Sequence, residues 1–130
     1  MDAPRHRVEG GTTVDRIPPE KLIMPALVCS EAPDDFRGRA VLLPDGVTGA
    51  EAARLVSGGA VLVGTSAMSI DFGDCDEAHR ILLGAGIPVV ENLKLEGIEP
   101  GLYTLICLPL RIEGGDGSPV RAFLVRSRRS

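Results

Sequence analysis

The feature that most constrains this chain is a unit repeated through its middle: a short apolar run, a capped helix, a glycine stop and another apolar run. Residues 26–29, 40–43 and 60–63 are brief runs rich in valine or leucine, without polar alternation. Such runs suit strands buried on both faces. Between the last two lies Thr48-Gly49-Ala50-Glu51, where the threonine oxygen and the glutamate can satisfy free amides of a first helical turn. The helix is expected to run to about Ser57 and to stop at Gly58-Gly59, where glycine takes the left-handed conformation at low cost. The grammar then repeats, with Asp74 and Glu77 as a second capping pair, a helix over 75–83, Gly84 as its terminator and a strand over 87–91. Strand, helix, strand, helix, strand implies right-handed crossovers and a largely parallel α/β sheet.

The flanks read differently. Pro4, Gly10, Gly11, Pro18, Pro19 and Pro25 punctuate the first 25 residues, which are expected to be loop-like with at most a short helical turn at 19–22. Residues 102–112 alternate, with Leu102, Thr104, Ile106, Leu108, Leu110 and Ile112 on one face and Tyr103, Leu105, Cys107, Pro109 and Arg111 on the other. This is a long strand, with Pro109 marking an edge or bulge. The turn at 114–119 returns the chain as a strand over 120–125, a C-terminal antiparallel hairpin. At 130 residues, the chain suits a single domain spanning 1–130.

Composition narrows the function classes. A net charge of -4, one tyrosine and no tryptophan supply neither the positive field nor the stacking rings that nucleic-acid binding uses. The basic end Arg126-Ser127-Arg128-Arg129-Ser130 reads as a solvated terminus. No apolar run approaches the roughly 18 to 20 residues that span a bilayer, and the opening residues lack the apolar core of a secretory signal, so no membrane role and a cytoplasmic location are expected. Cys29, Cys75 and Cys107 are odd in number and widely spaced, which argues against disulfides or a zinc ribbon and for small buried hydrophobes.

His6 and His79 are the only histidines, so imidazole chemistry or histidine metal ligation must use them. His79 is placed mid-helix on the face of Leu82 and Leu83, at the edge of the buried stripe. Glu91 ends the strand in which Ile87 and Val89 point the same way. A carboxylate aimed there binds a cation, pairs with a base such as Lys94 or an arginine, or takes up a proton. The C-terminal ends of parallel strands are also where open α/β sheets place their sites. Pro4 forbids a helix through the segment from Asp2 to His6, so an extended conformation is expected to turn both to one side as a carboxylate–imidazole pair.

Other signals carry less. Gly84-Ala85-Gly86 follows a helix and precedes a strand, the reverse of a dinucleotide fingerprint, and Gly114 to Gly117 lacks the Gly-Lys-Ser/Thr ending of a phosphate loop. Ser66, Ser69 and Asp71 lie in no GxSxG elbow.

These residues fall in an order that resembles the bacterial kynurenine formamidase and cyclase-like family. Asp2-Ala3-Pro4-Arg5-His6, with Glu9 to Asp15 and Ile17-Pro18, is similar to the second half of that family's HxGTHxDxPxH motif and the loop after it. Ser69-Ile70-Asp71, His79-Arg80-Ile81-Leu82-Leu83 and Ile87-Pro88-Val89-Val90-Glu91-Asn92-Leu93 resemble its central block, and Leu108-Pro109-Leu110 with 114–122 its closing hairpin. The resemblance implies a swivelling β/β/α domain that works as a homodimer or homotetramer, and a divalent metal, zinc or else manganese. It also implies that Asp2, His79 and Glu91 are metal ligands and His6 the acid–base residue. The reaction implied is hydrolysis of a small-molecule amide, an aryl formamide such as N-formylkynurenine, to formate and free amine in tryptophan catabolism, with metal-activated water and an imidazole relaying the proton.

The departures are specific. The two motif histidines that precede the aspartate are not in this chain, which is expected to lack the family's N-terminal segment and a complete first metal site. Met1 stands where the motif often has valine, and a valine codon GTG can also be read as a start, so an in-frame His-x-Gly-Thr-His run is expected upstream in the gene. Ala40 to Gly46 stands where the family usually has a strand ending in Arg-Thr-Gly, and Ser66 replaces a common aspartate. The alternative reading is a truncated, non-catalytic member that keeps only the fold and oligomer contacts.

Overall fold

A computed structural model describes residues 1–126, so the basic end at 127–130 lies outside the described residues. Three 3-10 turns, Pro4–His6, Val14–Arg16 and Pro19–Lys21, precede the regular elements. These are β1 (Ile23–Val28), β2 (Ala40–Leu43), α1 (Gly49–Ser57), β3 (Leu62–Thr65), α2 (Glu77–Gly84), β4 (Val89–Val90), β5 (Gly101–Pro109) and β6 (Val120–Arg126). The six strands form one curled mixed sheet in the order β4-β3-β2-β1-β5-β6. β1 to β4 run parallel, while β5 pairs antiparallel with both β1 and β6. The α/β class, the parallel core and the C-terminal hairpin are as the sequence indicates.

Apolar burial explains the layers. All four residues of β2 and of β3 are buried, because both faces of the parallel core are covered. One face meets α1 and α2 through Val41, Leu43, Val63, Val89, Leu55 and Leu82. The other carries Met24, Ala26, Leu42, Leu62, Val90 and Leu105. Fully burying a leucine such as Leu82 contributes roughly 1.5–3 kcal/mol, so this double-sided core outweighs any local propensity in its strands.

Several boundaries move, each for a local reason. The Thr48–Glu51 capping box forms reciprocally, and Gly59 takes φ +83, as expected. The Ala60 N–H then turns back to Leu55 O, which delays β3 to Leu62 instead of residue 60. α2 begins at Glu77 rather than 75, and its N-cap residue Asp76 makes no side-chain cap bond. Gly84 lies inside that helix, and the left-handed residue after it is Gly86, at φ +80. β4 shrinks to two residues because Pro88 has no N–H to give and Asn92 turns the chain at φ +60. The expected extended segment between Asp2 and His6 is replaced by the Pro4–His6 turn, since proline is tolerated at the first position of a helical turn. Cys107 is buried and Cys29 half-buried, but Cys75 is exposed beside the start of α2, so the reading of all three as buried hydrophobes fails there.

The N-terminal residues close the curl. Asp2 exchanges both backbone hydrogen bonds with Val89 on β4, at 2.7 and 3.1 Å. On its other side, Ala3 N–H donates to Asp116 O and Ser118 N–H donates to Met1 O, both in the turn before β6. Asp2 is thereby held at the C-terminal rim of the parallel strands, joining the β4 edge to the hairpin.

Candidate metal centre

α2 sets the centre of the site. Ala78, His79, Leu82 and Leu83 are its buried residues, so the apolar stripe that docks the helix also carries the imidazole inward. His79 Nε2 faces two carboxylates, Glu91 Oε2 at 3.1 Å and Asp2 Oδ2 at 3.3 Å. On the opposite side of the ring, Nδ1 lies 2.7 Å from Asp71 Oδ2.

Each carboxylate is anchored separately. Glu91 follows the last residue of β4, and its Oε2 accepts a 2.8 Å bond from Ile70 N–H in the loop after β3. Asp2 is fixed through its backbone pair with Val89. Asp71 is enclosed, with its side chain 2% exposed, and it accepts from Ala78 N–H at 2.6 Å and His79 N–H at 3.1 Å. It therefore caps α2 in place of the Asp74–Glu77 pair expected there.

Charge follows geometry. Hydrogen bonds to Asp2 and Glu91 raise the His79 pKa to about 10 against the opposing effect of burial, and Asp71 adds to the rise. Burial pushes Asp2 upward, but the His79 hydrogen bond and the charges of His6 and the N-terminus outweigh it and leave the group below its ordinary value. Burial likewise opposes ionisation of Asp71, and the His79 and Ala78 N–H groups with the imidazole overcome it. The ring is held as an imidazolium between carboxylates, a position a cation can take by displacing the proton.

One ligand atom each from Asp2, His79 and Glu91 lies within 4.8 Å of the others. The donor set fits a divalent metal. Zinc bonds of about 2.0–2.2 Å in tetrahedral arrangement put ligand atoms roughly 3.3–3.6 Å apart, close to the observed 3.1 and 3.3 Å. Three protein donors also leave a position open, as at catalytic sites.

His6 stands beside this cluster but outside it. Its ring centroid is 6.3 Å from that of His79, and its Nδ1 is 2.9 Å from Asp116 Oδ2. A cleft of about 730 Å³ opens next to Glu91, walled by Leu42, Leu93, Leu105 and Leu124. The four residues singled out in the sequence thus meet at one rim, although Asp2 and His79 are 77 positions apart.

The fold and parts of the sequence are shared with other proteins. Over 72 residues the chain is 50% identical to the kynurenine formamidase of Salinibacter ruber, a segment that is 54% of this chain and 34% of that protein. Cyclase-like protein 3 of Oryza sativa is 48% identical over 67 residues, 50% of this chain and 25% of the relative. A solved structure described as a potential metal-dependent hydrolase with cyclase activity superposes with a TM-score of 0.82 at 27% identity, over 95% of this chain and 75% of that one. Proteins named kynurenine formamidase and cyclase-like protein are thus among those that part of this chain resembles. The matched segment spans about a third of the length of the formamidase and a quarter of the cyclase-like protein. No protein-family model matches the chain.

Two acids were not singled out for this site from sequence. Asp71 entered as a discounted serine-hydrolase component and, without a role, as part of the Ser69-Ile70-Asp71 run that resembles the family's central block, and its seven-residue offset from Ala78 matches no capping pattern. Asp116 sat among the turn glycines, where aspartate is ordinary. Both are paired with a histidine in the fold.

Proposed function

We propose that this chain carries one metal site of an amide hydrolase acting on an aryl formamide of the N-formylkynurenine type, releasing formate and a free amine. The observation that supports this most is the convergence of Asp2, His79 and Glu91 from three separate parts of the chain onto one point. On this reading they hold a divalent metal, zinc by preference for a mixed nitrogen and oxygen donor set, with manganese as the second candidate. Such a metal supplies Lewis acidity for polarising the amide carbonyl and activating water.

The chain's own residues supply the rest. Asp2 and Glu91 offset the charge of the bound cation, and the Ile70 N–H keeps one Glu91 oxygen in place. His6, held at Nδ1 by Asp116, has its other ring nitrogen to exchange a proton with the departing amine. The cleft beside Glu91, lined by leucines together with Asn92, Lys94 and Arg121, offers an aromatic body apolar wall to lie against and polar groups at its edge.

The same reading includes a homodimer or homotetramer. Ile23, Leu102, Leu108, Phe123 and Val125 are each about half exposed on β1, β5 and β6, an amount of open apolar surface that association would cover. Light scattering on the purified chain checks it, with a mass of two or four chains expected and a monomer contrary to it.

The functional test is formate release from N-formylkynurenine with and without a chelator. Release that the chelator stops and that zinc or manganese restores is expected. Turnover indifferent to the chelator would remove the metal from the account.

A further inference from the structure

We propose that Asp71 is the positioning residue of this centre, fixing both the tautomer and the orientation of His79 so that Nε2 presents a lone pair to the metal; the inference rests on the metal-site reading above. A neutral imidazole carries one proton, and which nitrogen bears it depends on the partner of each. The carboxylate of Asp71 can only accept, so His79 Nδ1 must be the donor across the 2.7 Å contact. The lone pair then falls on Nε2, the nitrogen between Asp2 and Glu91.

Orientation is fixed by the same oxygen. Asp71 Oδ2 accepts from the His79 backbone N–H at 3.1 Å as well as from the ring, which ties the ring to its own main chain. Oδ1 accepts from Ala78 N–H at 2.6 Å, so both carboxylate oxygens are held, and the Asp71 backbone N–H donates to Ser69 Oγ at 3.2 Å. Its side chain is 2% exposed, leaving little water to compete for the imidazole. The negative group also sits at the N-terminal end of α2, where the helix dipole favours it. One buried carboxylate therefore starts the helix, aims the ring and selects its tautomer.

Second partners of metal-bound histidines typically change affinity by about 10–100-fold. The test is zinc affinity of the unaltered chain and of Asp71→Asn by chelator competition, with nitrogen-15 NMR of the His79 ring in the zinc-loaded unaltered chain. The ring spectrum is expected to show Nδ1 protonated and Nε2 bound, and Asp71→Asn to bind zinc about 10–100-fold more weakly. Zinc bound through Nδ1, or an Asp71→Asn chain with undiminished zinc affinity and a lowered unfolding midpoint alone, would leave Asp71 a helix cap and overturn the inference while sparing the site. An unaltered chain that binds no zinc at this ring overturns both. The NMR measurement needs no variant and decides the tautomer even where Asp71→Asn does not fold.

Discussion

His6 Nδ1 lies 2.9 Å from Asp116 Oδ2, a contact that closes 110 residues of chain and ties the first turn of the molecule to the loop before β6. The His6 hydrogen bond is the main influence that lowers the pKa of Asp116, against slight burial. The pair mirrors the one inside the candidate metal centre, where Asp71 holds His79. Two imidazoles at one rim are thus each oriented by a carboxylate from another loop.

Removing the His6 ring should cost turnover and leave metal binding intact. General acid–base groups typically contribute about 10²–10⁴-fold, so His6→Ala is expected to lose kcat in that range. Its zinc content should match the unaltered chain, because His6 is outside the donor cluster. Asp116→Ala should lower kcat by a smaller factor than His6→Ala, since it acts only through the ring. Loss of metal in His6→Ala would show the histidine to be a ligand instead.

Protonation of His79 links stability to pH in the metal-free chain. Its folded pKa of about 10 stands above the ordinary 6.5, so the contribution is complete below pH 6.5 and disappears as pH rises through about 10. Asp2 and Asp71 are shifted the other way, so their contributions are present above the ordinary value of 3.8 and are lost on acidification. Chemical unfolding of the metal-free chain should show a stability plateau between these limits, with a decline on the alkaline side that His79→Gln abolishes. A flat alkaline limb in the unaltered chain would contradict the imidazolium cluster.

The same protonation predicts proton release on metal binding. Between pH 7 and 8, His79 is protonated in the metal-free chain and must be neutral to bind. Calorimetric titration with zinc in two buffers of different ionisation enthalpy should report about one proton released per metal. Metal binding without proton release would place the cation away from His79.

The first helix offers a control remote from this chemistry. Thr48 Oγ accepts from Glu51 N–H at 3.1 Å, and Glu51 Oε1 accepts from Thr48 N–H at 3.0 Å. Thr48→Ala should lower unfolding free energy by about 1 kcal/mol and leave zinc affinity unchanged. A change in zinc affinity would show that the packing of α1 on α2, the helix that carries His79, transmits to the site.

What could be read from the residues divides along physical lines. β2, α1 and β6 were legible almost to the residue, because a continuous apolar run, a capping box and a hairpin turn are each written in neighbouring positions. The start of α2 was not, because its cap is Asp71, reached only when the loop after β3 folds back. Asp2, His6, His79 and Glu91 were singled out by residue type and by their places on turn, helix and strand end. Their meeting point depends on Asp2 pairing with Val89 across 87 positions, a register that no local pattern records. The turn at Pro4–His6 was misread for the complementary reason: proline limits the interior of a helix but not its first residue.

The central claim is that Asp2, His79 and Glu91 form one metal site, and metal content by elemental mass spectrometry tests it most directly. About one zinc or manganese per chain is expected in the unaltered protein after supplementation, and almost none in His79→Ala or Glu91→Ala chains whose helical circular dichroism is preserved. An unaltered chain that holds no metal, or variants that retain it in full, would contradict the account.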